Sequence, residues 1–316
     1  MDKNMILVYL EANEGNIVKV SLEALHAAEK LAAKTGNKVA AVAMNGSVSA
    51  EAAAGYGADL LIDVAAGEYQ PEAYASALAE LFTASEAAAL FFGSTQDGKD
   101  IAARTAVKAH TSYLCDVVDY TEAGWIKGVY GGALFETLVP NGNPVFSVRS
   151  GSFGKPEAVS GKNIAAEAFT PAAAELKLKI KEAVREIGES VNLEEAEVIV
   201  AGGRGMGAPE NFALLEELAG LLGGVVGASR PPIEDGWISK DRQVGQSGKI
   251  VAPKLYIACG ISGSIQHTTG MTGSGFIIAI NKDEEAPIFD IADVGIVGNV
   301  LEVLPLMIEE VKKSKA

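Results

Sequence analysis

The chain is nearly free of thiol: of 316 residues, only Cys115 and Cys259 are cysteine. There is no CxxC and no His/Cys spacing that could hold zinc, so neither a disulfide framework nor a metal site is supported. Histidine occurs three times, and 26 Lys and Arg stand against 41 Asp and Glu. The net charge of -15 argues against a nucleic-acid partner, because neutralising phosphates takes a surplus of basic residues. No apolar run approaches a membrane span. The opening Met-Asp-Lys-Asn-Met and the short run Ile6 to Leu10 lack a signal-cleavage pattern, so a cytoplasmic, bacterial-type chain without a targeting segment is expected. Two catalytic signatures are also missing. Gly-Ile-Ser-Gly lacks the spacing of a Gly-x-Ser-x-Gly elbow. Gly245-Gln-Ser-Gly-Lys249 lacks the first glycine of a Walker A loop and the hydroxyl residue after its lysine.

What the chain does have is apolar residues, 48% of it, and length enough for two cores. Up to about Thr111, strand-sized runs (Met5 to Leu10, Val39 to Met44, Leu60 to Val64, Leu90 to Gly93) alternate with Ala-rich helical periods (Ser21 to Lys34, Glu51 to Tyr56, Glu72 to Leu81). That rhythm predicts a parallel sheet covered by helices. Trp125 to Val139 and Val145 to Val148 carry β-branched and aromatic residues broken by Gly131-Gly132 and Asn141-Gly142-Asn143, which predicts antiparallel strands at one edge. Glu175 to Ile180 alternates leucine and lysine as an exposed edge strand would. The charged stretch that follows places the domain boundary, giving domains 1–188 and 189–316. From Ala196 the parallel rhythm restarts: strands Glu197 to Ala201, Val225 to Ala228, Leu255 to Ala258, Phe276 to Ile280 and Val294 to Val297, with helices Pro209 to Leu222 and Leu301 to Lys312. The fold class is therefore α/β, two domains, each on a mainly parallel sheet flanked by helices.

The polar residues of the second domain collect at the ends of its strands, where open α/β sheets bind ligands. Gly203, Gly205 and Ala208 meet the loose G-x-G-x-x-G/A form between a strand and a helix. Such a loop either holds a pyrophosphate or only packs strand against helix. No acid ends the next strand, which reads Gly227-Ala228-Ser229-Arg230 and so speaks against NAD. Arg230, ahead of Pro231-Pro232 at a helix start, is either a ligand cation or half of a salt bridge. Gln243 to Gly248 offers amides, a hydroxyl and glycines that can wrap a flat polar ring, or form a plain turn. Ser262 to His267 turns from loop into helix, so free N–H groups and two hydroxyls can meet a phosphate. His26 reads as structural or solvated, and His110 as a cap on a helix C-terminus.

In register from Val198 onward stand Gly-Gly-Arg-Gly, Gly-Ala-Ser-Arg, Gln-Val-Gly-Gln-Ser-Gly-Lys-Ile-Val-Ala-Pro, Leu-Tyr-Ile-Ala-Cys-Gly-Ile-Ser-Gly-Ser-Ile-Gln-His and Ala-Ile-Asn-Lys-Asp. Together they resemble the α-subunit of electron transfer flavoprotein. The resemblance implies a Rossmann-like C-terminal domain carrying FAD, an N-terminal domain that contacts a partner subunit, and a heterodimer with a β-subunit. It implies that FAD is lined by Arg204, Ser229, Arg230, Gln243, Val244, Gly245, Gln246, Ser247, Ser262, Gly263, Ser264, Ile265, Gln266, His267, Asn281 and Asn299. Three of these are implied to tune the flavin: Arg230 against the ring, Ser247 near N5, and His267 on the N1/O2 side. Asn299 stands where many members have Asp, and Ser247 where many have Thr.

The function implied is an electron carrier between flavin dehydrogenases, such as acyl-CoA dehydrogenases, and a quinone reductase or other acceptor. A second reading within the family is the α-subunit of an electron-bifurcating, NADH-oxidising flavoprotein, which alone would make the chain an enzyme component. Outside the family, the alternatives are a nicotinamide-dependent dehydrogenase using the 202–208 loop, or a nucleotide-binding module.

Overall fold

A computed structural model of the chain describes residues 3–13, 15–159, 162–174, 176–177 and 192–315. It divides into two compact units, Met1–Arg185 and Glu186–Ala316. The expected boundary after residue 188 falls outside the described residues, as does most of the expected strand 175–180. Of that strand, Leu176 and Lys177 are described, and neither is in a strand.

The first unit runs β1 (Ile6–Tyr9), a small hairpin of β2 (Ala12–Asn13) and β3 (Asn16–Ile17), α1 (Lys19–Thr35), β4 (Val39–Met44), α2 (Ala50–Gly55), β5 (Leu60–Val64), α3 (Pro71–Ala84), β6 (Ala89–Gly93), α4 (Gln96–Lys108), β7 (Tyr113–Thr121), β8 (Gly124–Val129), β9 (Leu134–Leu138), β10 (Val145–Val148) and β11 (Ala165–Phe169). Nine strands form one sheet in the order β11-β5-β4-β1-β6-β10-β7-β8-β9. β1, β4 and β6 are continuous apolar runs because both faces of a parallel sheet are covered. Alternation then sorts their side chains: Ile6 and Val8 enter the core layer with Leu25 and Phe146, while Leu7 and Tyr9 enter the opposite layer with Leu78 and Phe92. Ser49 and Thr95 cap α2 and α4, their hydroxyls accepting from the N–H groups of Ala52 and Gly98.

One sequence expectation changes here, and one strand went unmarked. β7, β8 and β9 do form the antiparallel edge, but β10 pairs parallel with both β6 and β7, in the sheet interior. The Asn141-Gly142-Asn143 turn looks like a hairpin signal. Instead it carries the chain back across the sheet into the gap between β6 and β7, and all four residues of β10 are buried. The edge strand on the other side is β11, which sequence reading did not mark.

The second unit runs β12 (Val198–Gly202), α5 (Phe212–Leu222), β13 (Val225–Ala228), α6 (Arg230–Glu234), β14 (Leu255–Cys259), α7 (Ile265–Thr268), β15 (Ile277–Asn281), β16 (Val294–Val297) and α8 (Val300–Lys315). Its five strands are all parallel, in the order β13-β12-β14-β15-β16. One face packs on α5 and α8 through Val200, Leu215, Leu218 and Leu304. The other packs on loops and short turns through Tyr256, Val244, Val251 and Met271. The chain goes from β12 outward to β13, then returns across β12 to β14, so the strand order reverses between β12 and β14. Connections there diverge to opposite sides of the sheet and leave a crevice at the C-terminal strand ends. Among the described residues, no helix is long and apolar enough to cross a membrane.

Candidate functional site

A cavity of about 440 Å³ opens at that crevice, within the size range of small-molecule sites. Its walls come from the segments that follow β12, β13 and β14, together with the loop 243–249.

After β12, Gly203 and Gly205 bring two loops into backbone contact. A Cβ on Gly203 would stand 2.2 Å from the Gly260 carbonyl oxygen, and one on Gly205 would stand 2.7 Å from the Gly260 Cα. The N–H groups here are already used: Gly203 donates to Cys259 O, Gly205 to Gly260 O, Met206 to Gly203 O and Gly207 to Arg204 O, all at 2.9–3.1 Å. The glycine fingerprint therefore serves loop packing, and these four N–H groups are not free for a pyrophosphate. This removes the feature that supported the nicotinamide dehydrogenase. The Arg204 side chain is left exposed on the cavity wall.

After β13, Ser229 begins α6, but its side chain makes no capping bond. Pro231 and Pro232 carry no N–H, so the helix start leaves fewer donors to satisfy. Arg230 does have an acidic partner: its Nε donates to Glu234 Oε1 at 2.7 Å, with the two side chains 65% and 56% exposed. Both line the cavity.

The loop 243–249 is held on several sides. Val244 N–H donates to Ala228 O (2.9 Å), Gly245 N–H to Lys249 O (3.1 Å), Gln246 N–H to Gln266 O (2.7 Å) and Lys249 N–H to Gln243 O (2.8 Å). Gly245, at φ +142°, lies against α7 so closely that a Cβ would meet Gln266 O at 2.7 Å. Within the loop, the buried Gln243 amide donates to Ser247 Oγ at 2.9 Å, leaving the serine's own proton for another acceptor.

His267 lies in α7, 5% exposed. Its Nδ1 is 3.1 Å from Val244 O and its Nε2 is 3.1 Å from the Tyr256 hydroxyl. Burial holds its pKa down at about 4, against a smaller upward pull from the Val244 carbonyl. The ring is neutral near pH 7 with both nitrogens on protein partners, which differs from the sequence expectation of a donor turned to a flavin N1/O2 locus.

Twelve of the sixteen anticipated residues line the cavity and four do not. Gly263, at φ +89°, is a packing turn whose Cβ would meet Ile288 N at 2.2 Å. Ile265 is exposed. Asn281 donates to Ile261 O and accepts from Asp283 N–H, which commits its amide to a turn. Asn299 caps α8, accepting from Leu301 N–H and donating to Glu302. Conversely, Pro231, Glu234, Gly260 and Ile261 line the cavity without having been anticipated. Glu234 was legible as the i+4 partner of Arg230. Tyr256, the buried partner of His267, was not, because nothing in its strand position signals a hydroxyl contact with a residue eleven places on.

Among the described residues, the side chains of Arg204, Ser229, Gln246, Ser262, Ser264 and Gln266 take no protein partner. Six polar side chains without a protein partner around one cavity, five of them exposed to solvent, fit a polar ligand with several acceptors.

The comparisons with known proteins agree with this geometry. A family model described as "Electron transfer flavoprotein FAD-binding domain" matches residues 192–272, and one described as "Electron transfer flavoprotein domain" matches residues 6–174. The chain is 41% identical to the electron transfer flavoprotein subunit alpha of Thermoanaerobacterium thermosaccharolyticum, with 99% of each chain covered. It is 38% identical to the electron transfer flavoprotein subunit alpha of Clostridium acetobutylicum, with 98% of each covered. It is also 40% identical to Protein FixB of Clostridium saccharobutylicum, covering 99% of this chain and 97% of that one.

Proposed function

The chain belongs to the electron transfer flavoprotein α-subunit family, and we propose that it holds FAD in the cavity of its second unit and, with a β-type partner chain, carries electrons from flavin dehydrogenases to a quinone reductase or other acceptor. The observation that carries this reading is the set of uncommitted donors and hydroxyls around a crevice whose loops are already held by backbone hydrogen bonds. Ser262 and Ser264, together with the N–H groups at the start of α7, would hold the diphosphate. Ser247, oriented by Gln243, and Arg230 would meet the ring system. FAD supplies the one- and two-electron chemistry, while the protein supplies position and electrostatics.

Arg204, Arg230, Gln246, Ser247, Ser262, Ser264 and Gln266 are all exposed. A ring lying against them would keep one face in water and forgo burial worth about 25 cal/mol per Å² of apolar surface. A partner chain covering that face would restore the burial, so cofactor affinity should depend on it. The experiment is to purify the chain alone and coexpressed with a β-type chain, then compare flavin content, sedimentation and electron transfer from a reduced donor. Low flavin alone and full flavin in the pair are expected. A monomer with full flavin content and activity would overturn the heterodimer. Two flavins per pair with NADH oxidation would place the chain in an electron-bifurcating complex instead.

A further inference from the structure

His267 and Tyr256 are joined only by the fold. Tyr256 lies in β14 and is fully buried; its hydroxyl is 3.1 Å from His267 Nε2, while Val244 O is 3.1 Å from Nδ1. A carbonyl can only accept, so the ring proton must sit on Nδ1. The neutral ring then offers a lone pair at Nε2, and the tyrosine hydroxyl donates to it.

Of the groups facing this ring, the Val244 carbonyl pulls toward the charged form, and burial outweighs it. β14 contributes Tyr256, with the buried thiol of Cys259 near the phenol; that thiol is pushed up to about 12 by burial and stays neutral. The loop contributes only the Val244 carbonyl. The cavity rim contributes Arg204, Arg230 and Glu234, the last already bonded to Arg230.

We infer that Tyr256 is a positioning residue for the cofactor site: its hydroxyl locks His267 as a neutral imidazole protonated on Nδ1, and that ring in turn holds the Val244 carbonyl and the loop lining the cavity. The inference rests on the proposed function for the word cofactor; the lock itself rests on the three groups named. Two hydrogen bonds fix the ring where one would leave it free to turn about the other. Burial supports the same state, since an imidazolium here would be desolvated without a carboxylate to pair it.

The test is nitrogen-15 NMR of histidine-labelled full-length chain, in which only His26 and His110 add further imidazole signals. The expected wild-type result is a protonated Nδ1 and an unprotonated Nε2 for His267, unchanged from about pH 5.5 to 8. Tyr256→Phe removes the bond that favours the neutral ring, so the His267 titration midpoint should rise by about one pH unit. Amide protection of Gln246 in the held loop should fall with it. A wild-type His267 that carries its proton on Nε2, or that titrates between about pH 6 and 8, overturns the inference without any variant. So does a folded Tyr256→Phe chain with the wild-type midpoint. Flavin content is measured on the same chain coexpressed with a β-type chain: a pair that never takes up flavin overturns the cofactor reading while leaving the tautomer result to stand or fall alone.

Discussion

Gly270 is the position at which a single methyl group tests how the site is built. A Cβ there would lie 2.5 Å from both the N and the Cα of Gly245, and 3.0 Å from its carbonyl carbon. Carbon atoms rest at about 3.5–4.0 Å, so Gly270→Ala must push the two backbones apart by about 1 Å. The displaced segment carries the Gln246 to Gln266 bond at 2.7 Å and the Val244 to His267 contact at 3.1 Å, which together hold the loop against α7. Overpacking of this kind costs about 1–3 kcal/mol, or about a 5- to 150-fold change in the folded population. Gly220, inside α5, has nothing within 4 Å of its would-be Cβ, and Gly220→Ala should stabilise by up to about 1 kcal/mol. The chain has two tryptophans, Trp125 in the first unit and Trp237 in the second. Fluorine NMR of fluorotryptophan-labelled protein therefore follows urea unfolding of each unit separately, which a two-unit chain requires. The Trp237 midpoint should fall by about 1 M in Gly270→Ala and rise slightly in Gly220→Ala, with Trp125 unmoved. A Gly270→Ala chain with the wild-type Trp237 midpoint and undiminished flavin uptake would refute the reasoning.

Two further outcomes follow from charges at the site. Arg230→Ala should lower the flavin midpoint potential by no more than about 40 mV, because an exposed cation already shared with Glu234 is worth about 1 kcal/mol at most; potentiometric titration reads this, and no shift at all would assign Arg230 to Glu234 alone. His267 binds its proton at pH 6.5 when unfolded but only at about 4 when folded, so the unfolded state holds more protons between those values and stability falls as pH drops through the window, by about 3 kcal/mol in full. His267→Gln should remove that slope, so urea midpoints for the Trp237 signal at steps across the window should converge between wild type and variant as pH falls, and parallel curves would mean that the imidazole titrates normally.

Much of the architecture could be read in the sequence because it depends on local periodicity. Val39–Met44, Leu60–Val64, Val225–Ala228 and Val294–Val297 appear as strands at the bounds expected. α1, α3, α5 and α8 announce themselves by Ala- and Leu-rich helical spacing. What periodicity cannot state is which strand lies beside which. Val145–Val148 has the composition of a hairpin strand, yet it inserts between β6 and β7, a choice made by long-range packing of Phe146 with Phe91 and Trp125. The site divides in the same way. Clusters of serine, glutamine and glycine at strand ends showed where a ligand cavity would form, because the C-terminal ends of parallel strands gather the loops of an open sheet.

Most element types, the two-unit plan and the rim on which the polar residues collect are legible along the chain, since each of these follows from the pattern of near neighbours in sequence; β11 was not. What the individual groups do there comes from the folded unit. Gly203, Gly205, Gly245 and Gly270 turn out to be points of backbone contact between distant loops. Asn281 holds a turn and Asn299 caps a helix. His267 is neutral because the packed unit buries it, and Tyr256 and Val244 reach its two nitrogens from other segments. The physical reason is that a side chain's charge and hydrogen-bonding state are set by whichever groups share its space, and those neighbours are chosen by the packing of the whole unit.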